Sequence, residues 1–366
     1  MRKLFSVSIT LMAVVLILNG FVAQTSGAPA EPKPIELKLA TVAPPVGATG
    51  EELKWFAAEV AKRTNGAVTI KIAWGGSLAG PKEMPEAIRT GAIDIAHLPW
   101  AAFAPSLVPL HTITEKCAGF RGGKPLALQL AGVQLHKEFP EFDAEYAANN
   151  MKRISYRGQG GMHVESKKPI RTLDDLKGLK IIATGVLNQA LLKAVGAVPV
   201  FMMIDQVADN MQKGVVDGDM QCAAVSVRFK IYEAVKYFNR FAEPALGQDA
   251  GFSNTINLDT WNKLPPNIQK VFLDLCEEYP FKYAEFDQKD TEAAYKTIQN
   301  AGVQIVDVPA SETQRWKSLI SFKTIHEEWI KFAIQNTKVP EPRLRQIVAR
   351  YLESLDEMAK KYPQSW

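Results

Sequence analysis

Five histidines, three cysteines and a few adjacent acid pairs are the residues of this 366-residue chain whose types could do chemistry. The histidines are His97, His111, His136, His163 and His326. None stands in an H-x-H or H-x-x-x-H spacing, and none shares metal-ligand spacing with a cysteine. Zinc sites recruit ligands at such spacings, so no metal site is expected. An esterase-type serine would show G-x-S-x-G, and a phosphate cradle would show a Walker loop or G-x-G-x-x-G; the chain has neither. Gly158, Gly160 and Gly161 read as a turn. Asp174-Asp175 reads as the charged start of a helix, and Glu327-Glu328 as a solvated face. His97 follows an apolar strand and faces either the core or a cleft. The expectation is a protein that is not an enzyme and carries no cofactor.

The elements that position these residues show a repeat. Glu86 to Ala96 (EAIRTGAIDIA) is answered about 120 residues later by Asn210 to Asp219 (NMQKGVVDGD). Each copy reads as a helix end, a glycine stop and a short apolar strand carrying an aspartate. Another strand precedes each copy, Val68–Ala73 before the first and 179–183 before the second. Two similar α/β units predict two lobes with a cleft between them. Ligands of open α/β sheets bind outside the carboxyl ends of the strands, so the cleft is where a small molecule belongs.

Composition agrees with an ordinary globular protein, 47% hydrophobic and 22% charged. The N-terminus differs. Arg2 and Lys3 precede an apolar run from Ile9 to Leu18, and Ala28-Pro29-Ala30 follows. This is the layout of a secretory signal peptide over residues 1–30, and it predicts a periplasmic protein. The apolar run is about half of the roughly 20 residues that a membrane span needs. Removing the segment lowers the net charge from +4 by two, to a value that argues against nucleic acid as a partner. Cys117, Cys222 and Cys276 read as buried small hydrophobes. One disulfide could form among them, and no pair is singled out.

Along the chain, a Pro-rich leader at 28–35 precedes a strand at 36–42. Helices are expected at 51–64, 81–90, 126–137, 188–195, 223–237, 266–300, 312–334 and 340–361, and further strands at 93–98, 153–159, 198–202 and 252–257. Pro280 interrupts the longest helix and should kink it. The expected division is 36–159 plus 247–285 for lobe one, and 160–246 plus 286–366 for lobe two.

Several phrases together resemble the substrate-binding proteins of TRAP transporters, the C4-dicarboxylate-binding, DctP-like type. They are Leu37 to Pro45, Ser77-Leu78-Ala79-Gly80 with the first repeat copy, Lys168 to Lys180, Gly196 to Val200, and Gly214 to Gly218. The resemblance covers nearly the whole chain after residue 30. It implies an α/β, two-lobed periplasmic binding protein fold. Each lobe would be a mixed sheet flanked by helices, with a long helix spanning both. It implies a receptor that captures a small organic molecule, by default an organic anion, for TRAP transporter membrane subunits, acting as a monomer. The alternative is a secreted enzyme using the same cleft, with His97 or His163 as base.

The family's carboxylate-anchoring arginine corresponds to Ile182, which cannot form a bidentate pair. A second family cation falls near Met162 or His163, the family asparagine corresponds to Gln221, and its aromatic residue to Ile204. At the end of strand 153–159, Arg157 and Gln159 stand near the expected cleft. Arg157 either supplies the missing cation or is an exposed strand-end arginine. Trp74 and Trp100 follow first-lobe strands, where they either line the cleft or pack against the core.

Overall fold

The computed structural model describes residues 34–118, 125–242, 245–246 and 248–363. The expected signal peptide lies outside them. Twelve strands are described, in two six-stranded mixed sheets. Strands β1 (Ile35–Thr41), β2 (Val68–Ala73), β3 (Ile95–Pro99), β4 (Met151–Arg153), β5 (Arg157–Gly161) and β11 (Gln248–Asn257) form the first. Strands β6 (His163–Ser166), β7 (Lys180–Ile182), β8 (Val198–Val200), β9 (Gly218–Gln221), β10 (Tyr237–Phe241) and β12 (Gln304–Val308) form the second.

The repeat is structural, and its aspartates explain why it recurs. In the first sheet, Lys38 N donates to Asp94 Oδ2 at 2.8 Å, while Asp94 N donates to Lys38 O at 3.1 Å. In the second, Lys180 N donates to Asp217 Oδ2 at 2.9 Å, while Asp217 N donates to Lys180 O at 2.8 Å. Each carboxylate thus satisfies an N–H of the neighbouring strand just before β3 joins β1, or β9 joins β7, in parallel. Gly91 and Gly214 adopt φ of 76° and 74°, the left-handed turn that aims each aspartate back.

The helix Pro266–Asn300 runs 35 residues without a break, with Pro280 inside it. Ile268, Phe272, Leu275, Tyr279 and Tyr283 enter the first-lobe core, whereas Ala294 and Ile298 enter a second-lobe core with Val207 and Phe238. One helix therefore serves both lobes. The segment expected as one helix at 223–237 is divided. Ala223–Arg228 is helical, Lys230 turns at φ 56°, and β10 begins at Tyr237.

The C-terminal helix Phe322–Asn336 starts against the second-lobe core through Phe322 and Ile325, and its later residues Trp329 and Ile330 join the helix Glu341–Lys361 in a separate cluster. Trp329, Leu344, Ile347, Tyr351 and Leu355 pack with Leu128, Ala131 and Leu135 of the helix Pro125–Glu138. That helix contacts β5 and β11 of the first sheet. An apolar stripe shows that a helix is buried and leaves its partner undefined.

Candidate ligand-binding cavity

A cavity of about 160 Å³ opens between the sheets and is lined from both. Its polar wall starts on β3. His97 stands beside Thr41 in the β1–β3 register, and Thr41 Oγ1 lies 3.1 Å from His97 Nδ1. Phe252 of β11 is paired with Arg157 at the start of β5, which brings the arginine under the same wall. Thr49 and Glu52 belong to the helix Gly47–Arg63, and their i, i+3 spacing places both on its inner face.

Arg157 is the centre of this wall. Its side chain is 1% exposed. Nε lies 2.8 Å from Glu52 Oε1, Nη1 donates to Tyr283 Oη at 3.2 Å, and Nη2 donates to Thr49 Oγ1 at 3.1 Å. The Phe252 and Tyr283 rings lie 4.0 and 4.4 Å from the guanidinium carbon. Burial works against its charge, and Glu52, Tyr283, Tyr279 and Asp287 more than reverse that effect, so the guanidinium stays charged. His97 Nε2 lies 3.3 Å from the same Glu52 oxygen and 3.2 Å from Arg157 Nη2. Burial lowers its pKa, and Glu52 opposes this only partly, so the imidazole is neutral.

A second arginine arrives from the other lobe. Arg228 ends the helix Ala223–Arg228. Nη1 donates to Thr49 Oγ1 at 3.1 Å and Nη2 to Asp290 Oδ2 at 3.1 Å. The same Asp290 oxygen accepts from Ala48 N at 2.8 Å. Gly47 makes the room: its φ is +68°, and a Cβ there would stand 2.8 Å from that oxygen. Thr49 consequently accepts from two guanidinium groups. A hydroxyl has two acceptor sites and one proton, so the Thr49 proton is left to donate, polarised by both cations.

The rest of the lining is mostly apolar, with Glu115, Thr184 and Gln221 as its polar members. Phe103, Phe229, Phe252, Met203 and Val225 supply most of it, and Phe201, 63% exposed, forms the solvent-facing rim. A dry apolar cavity of roughly 150 Å³ holds one benzene ring, which sets the size of the occupant.

Of the residues singled out in the sequence, His97, Arg157, Ile204 and Gln221 line this cavity. Gln221 Oε1 also accepts from Cys222 N at 3.0 Å. The others lie elsewhere. Ile182 points into the core with Val207 and Met211, and Met162 into the core with Val164 and Leu246. His163 is buried; its Nδ1 accepts from Phe241 N at 3.2 Å, and burial lowers its pKa to about 3. Trp100 is fully buried against Tyr146, and Trp74 packs on the first-lobe core. In each case strand alternation or a strand-end turn sent the side chain inward. The Gln159 side chain lies outside the described residues. Among the described residues, no three His, Cys, Asp or Glu side chains gather as a metal site requires.

Thr49, Glu52, Arg228 and Phe252 were not singled out in the sequence. The only local signal was an arginine ending a short helix after the second repeat copy, and such arginines are ordinary. All three cysteines are buried.

Residues 39–331 match the family model for bacterial extracellular solute-binding proteins, family 7. The C4-dicarboxylate-binding periplasmic protein DctP of Rhodobacter capsulatus is 24% identical over 303 residues, covering 82% of this chain and 88% of that protein. Two solved structures share the fold. One is a TRAP solute-binding protein from Rhodoferax ferrireducens in complex with copurified benzoate, with a TM-score of 0.77 at 20% identity over 89% of this chain and 99% of that one. The other is a marine metagenome TRAP solute-binding protein specific for aromatic acid ligands, in complex with 3-hydroxybenzoate, with a TM-score of 0.76 at 19% identity over 89% and 99%.

Proposed function

The chain belongs to family 7 of the bacterial extracellular solute-binding proteins, and from that premise we propose that it captures a small organic acid with an apolar, ring-sized body. The family consists of solute receptors that work with TRAP membrane subunits. The observation that carries the reading is the division of the cavity's lining. One wall presents the donors Thr49, Arg228 and Arg157, and most of the remainder is apolar, with Glu115, Thr184 and Gln221 as its polar members. An acceptor head belongs at the donor wall, and an apolar body displaces poorly held water from the rest. Structural neighbours that hold benzoate and 3-hydroxybenzoate favour the same ligand class.

Delivery to TRAP membrane subunits, export through the segment 1–30 and action as a monomer complete the proposal. Among the described residues no helix is long and apolar enough to cross a membrane. Catalysis has little support at this site. His163 is held in the second-lobe core, and His97 is neutral between Thr41, Arg157 and Glu52. The test is a thermal-shift screen of organic acids, because a ligand at 100 times its Kd stabilises by about 2.7 kcal/mol. Aromatic and other apolar monocarboxylic acids should raise the melting temperature. A screen in which only sugars, amines or other non-acids do so overturns the reading.

A further inference from the structure

The donor wall carries two cations, and each meets its own carboxylate. Arg228 meets Asp290, which is held in turn by the N–H of Ala48. Arg157 meets Glu52, and that contact differs in kind. Glu52 is 1% exposed, and its Oε1 lies 2.8 Å from Arg157 Nε and 3.3 Å from His97 Nε2. Arg157, His97 and Tyr279 face it. A buried carboxylate is unfavourable by itself, and its role here is that of a counter-charge. Without it, Arg157 would be left with Asp287, which burial pushes up to about 7 and which therefore offsets it only in part, while Arg228 keeps Asp290.

Building on the proposed ligand class, we infer that Glu52 is the specificity-determining residue of the cavity. With Arg228 offset by Asp290 and Arg157 by Glu52, the wall carries no unpaired cation: its donors hold one carboxylate by hydrogen bonding, and the second carboxylate of a dicarboxylic acid meets no free positive charge. A second carboxylate that reached Arg157 would also stand against Glu52, and like charges at short range in a buried site repel strongly. Selection therefore works by an unfavourable contact as well as by the apolar lining.

Calorimetric titration of the wild type, Glu52→Gln and Glu52→Asp with benzoate and succinate tests this. The wild type should bind benzoate at least about tenfold more tightly than succinate. Glu52→Gln should strengthen succinate binding by roughly 10- to 100-fold, with a smaller change for benzoate. Glu52→Asp keeps the charge and should restore the wild-type ranking, which a purely structural role for Glu52 would not require. A wild type that prefers succinate, or a folded Glu52→Gln with the ranking unchanged, overturns the inference. If Glu52→Gln does not fold, the wild-type ranking decides alone. A wild type that binds neither acid beside a Glu52→Gln that binds succinate supports the role of Glu52 and removes the proposed ligand class. If neither protein binds either acid, both fail.

Discussion

Replacing Arg157 by methionine should damage the fold before it damages any binding. The side chain is 1% exposed and is opposed by Glu52, itself 1% exposed, so the substitution strands a buried carboxylate. It also removes hydrogen bonds to Tyr283 and Thr49 and the cation between the Phe252 and Tyr283 rings. Breaking one side of a buried ion pair destabilises by about 3–5 kcal/mol, a large share of a protein's total stability. Replacing both partners removes the stranded charge, so Arg157→Met with Glu52→Met should be more stable than Arg157→Met alone. Chemical denaturation of the wild type, the two single variants and the double variant gives the coupling energy, expected at roughly 2–3 kcal/mol. Additive losses, with no coupling, would refute the assignment of Glu52 as the counter-charge of Arg157.

Thr49→Val removes the hydroxyl that both arginines polarise and should weaken acid binding by about tenfold or more, while Thr49→Ser should retain it; titration with the screened acid shows which. Gly47→Ala should cost about 1–3 kcal/mol in denaturation, because φ is +68° and its Cβ would press on the Asp290 carboxylate; an unchanged midpoint contradicts this. Asp219 and Glu165 face each other across β6 and β9; burial pushes Asp219 from 3.8 up to about 7, and burial together with Asp219 pushes Glu165 up. An acid whose folded pKa is raised contributes stability that is fully present below its unfolded pKa and is lost as pH rises through the folded value. Asp219→Asn should therefore lose part of the wild type's decline between pH 3.8 and about 7, so its stability relative to the wild type rises with pH; parallel stability curves would exclude the shift.

The chain announces its architecture locally. Gly91 and Gly214, each a few residues before an aspartate that returns a hydrogen bond to the neighbouring strand, are readable because a helix stop and a strand start are properties of short segments. The box formed by Thr172 and Asp175 is legible for the same reason. The resemblance implies that Ile182 stands where the family carries an anchoring arginine. It does not show what takes over the task, because a charge's partner is chosen by folding. Glu52 and Arg157 are about a hundred residues apart, and Thr49 and Arg228 are 179 apart. Each looks like an ordinary surface residue of a helix or strand end until the sheets bring them together. Whether an arginine is an exposed solubiliser, an anchor or half of a buried pair depends on the dielectric around it and on the nearest opposite charge. Periodicity carries neither quantity, so only the packed lobes decided that Arg157 is neutralised, that Trp100 belongs to the core and that Arg228 faces the cavity.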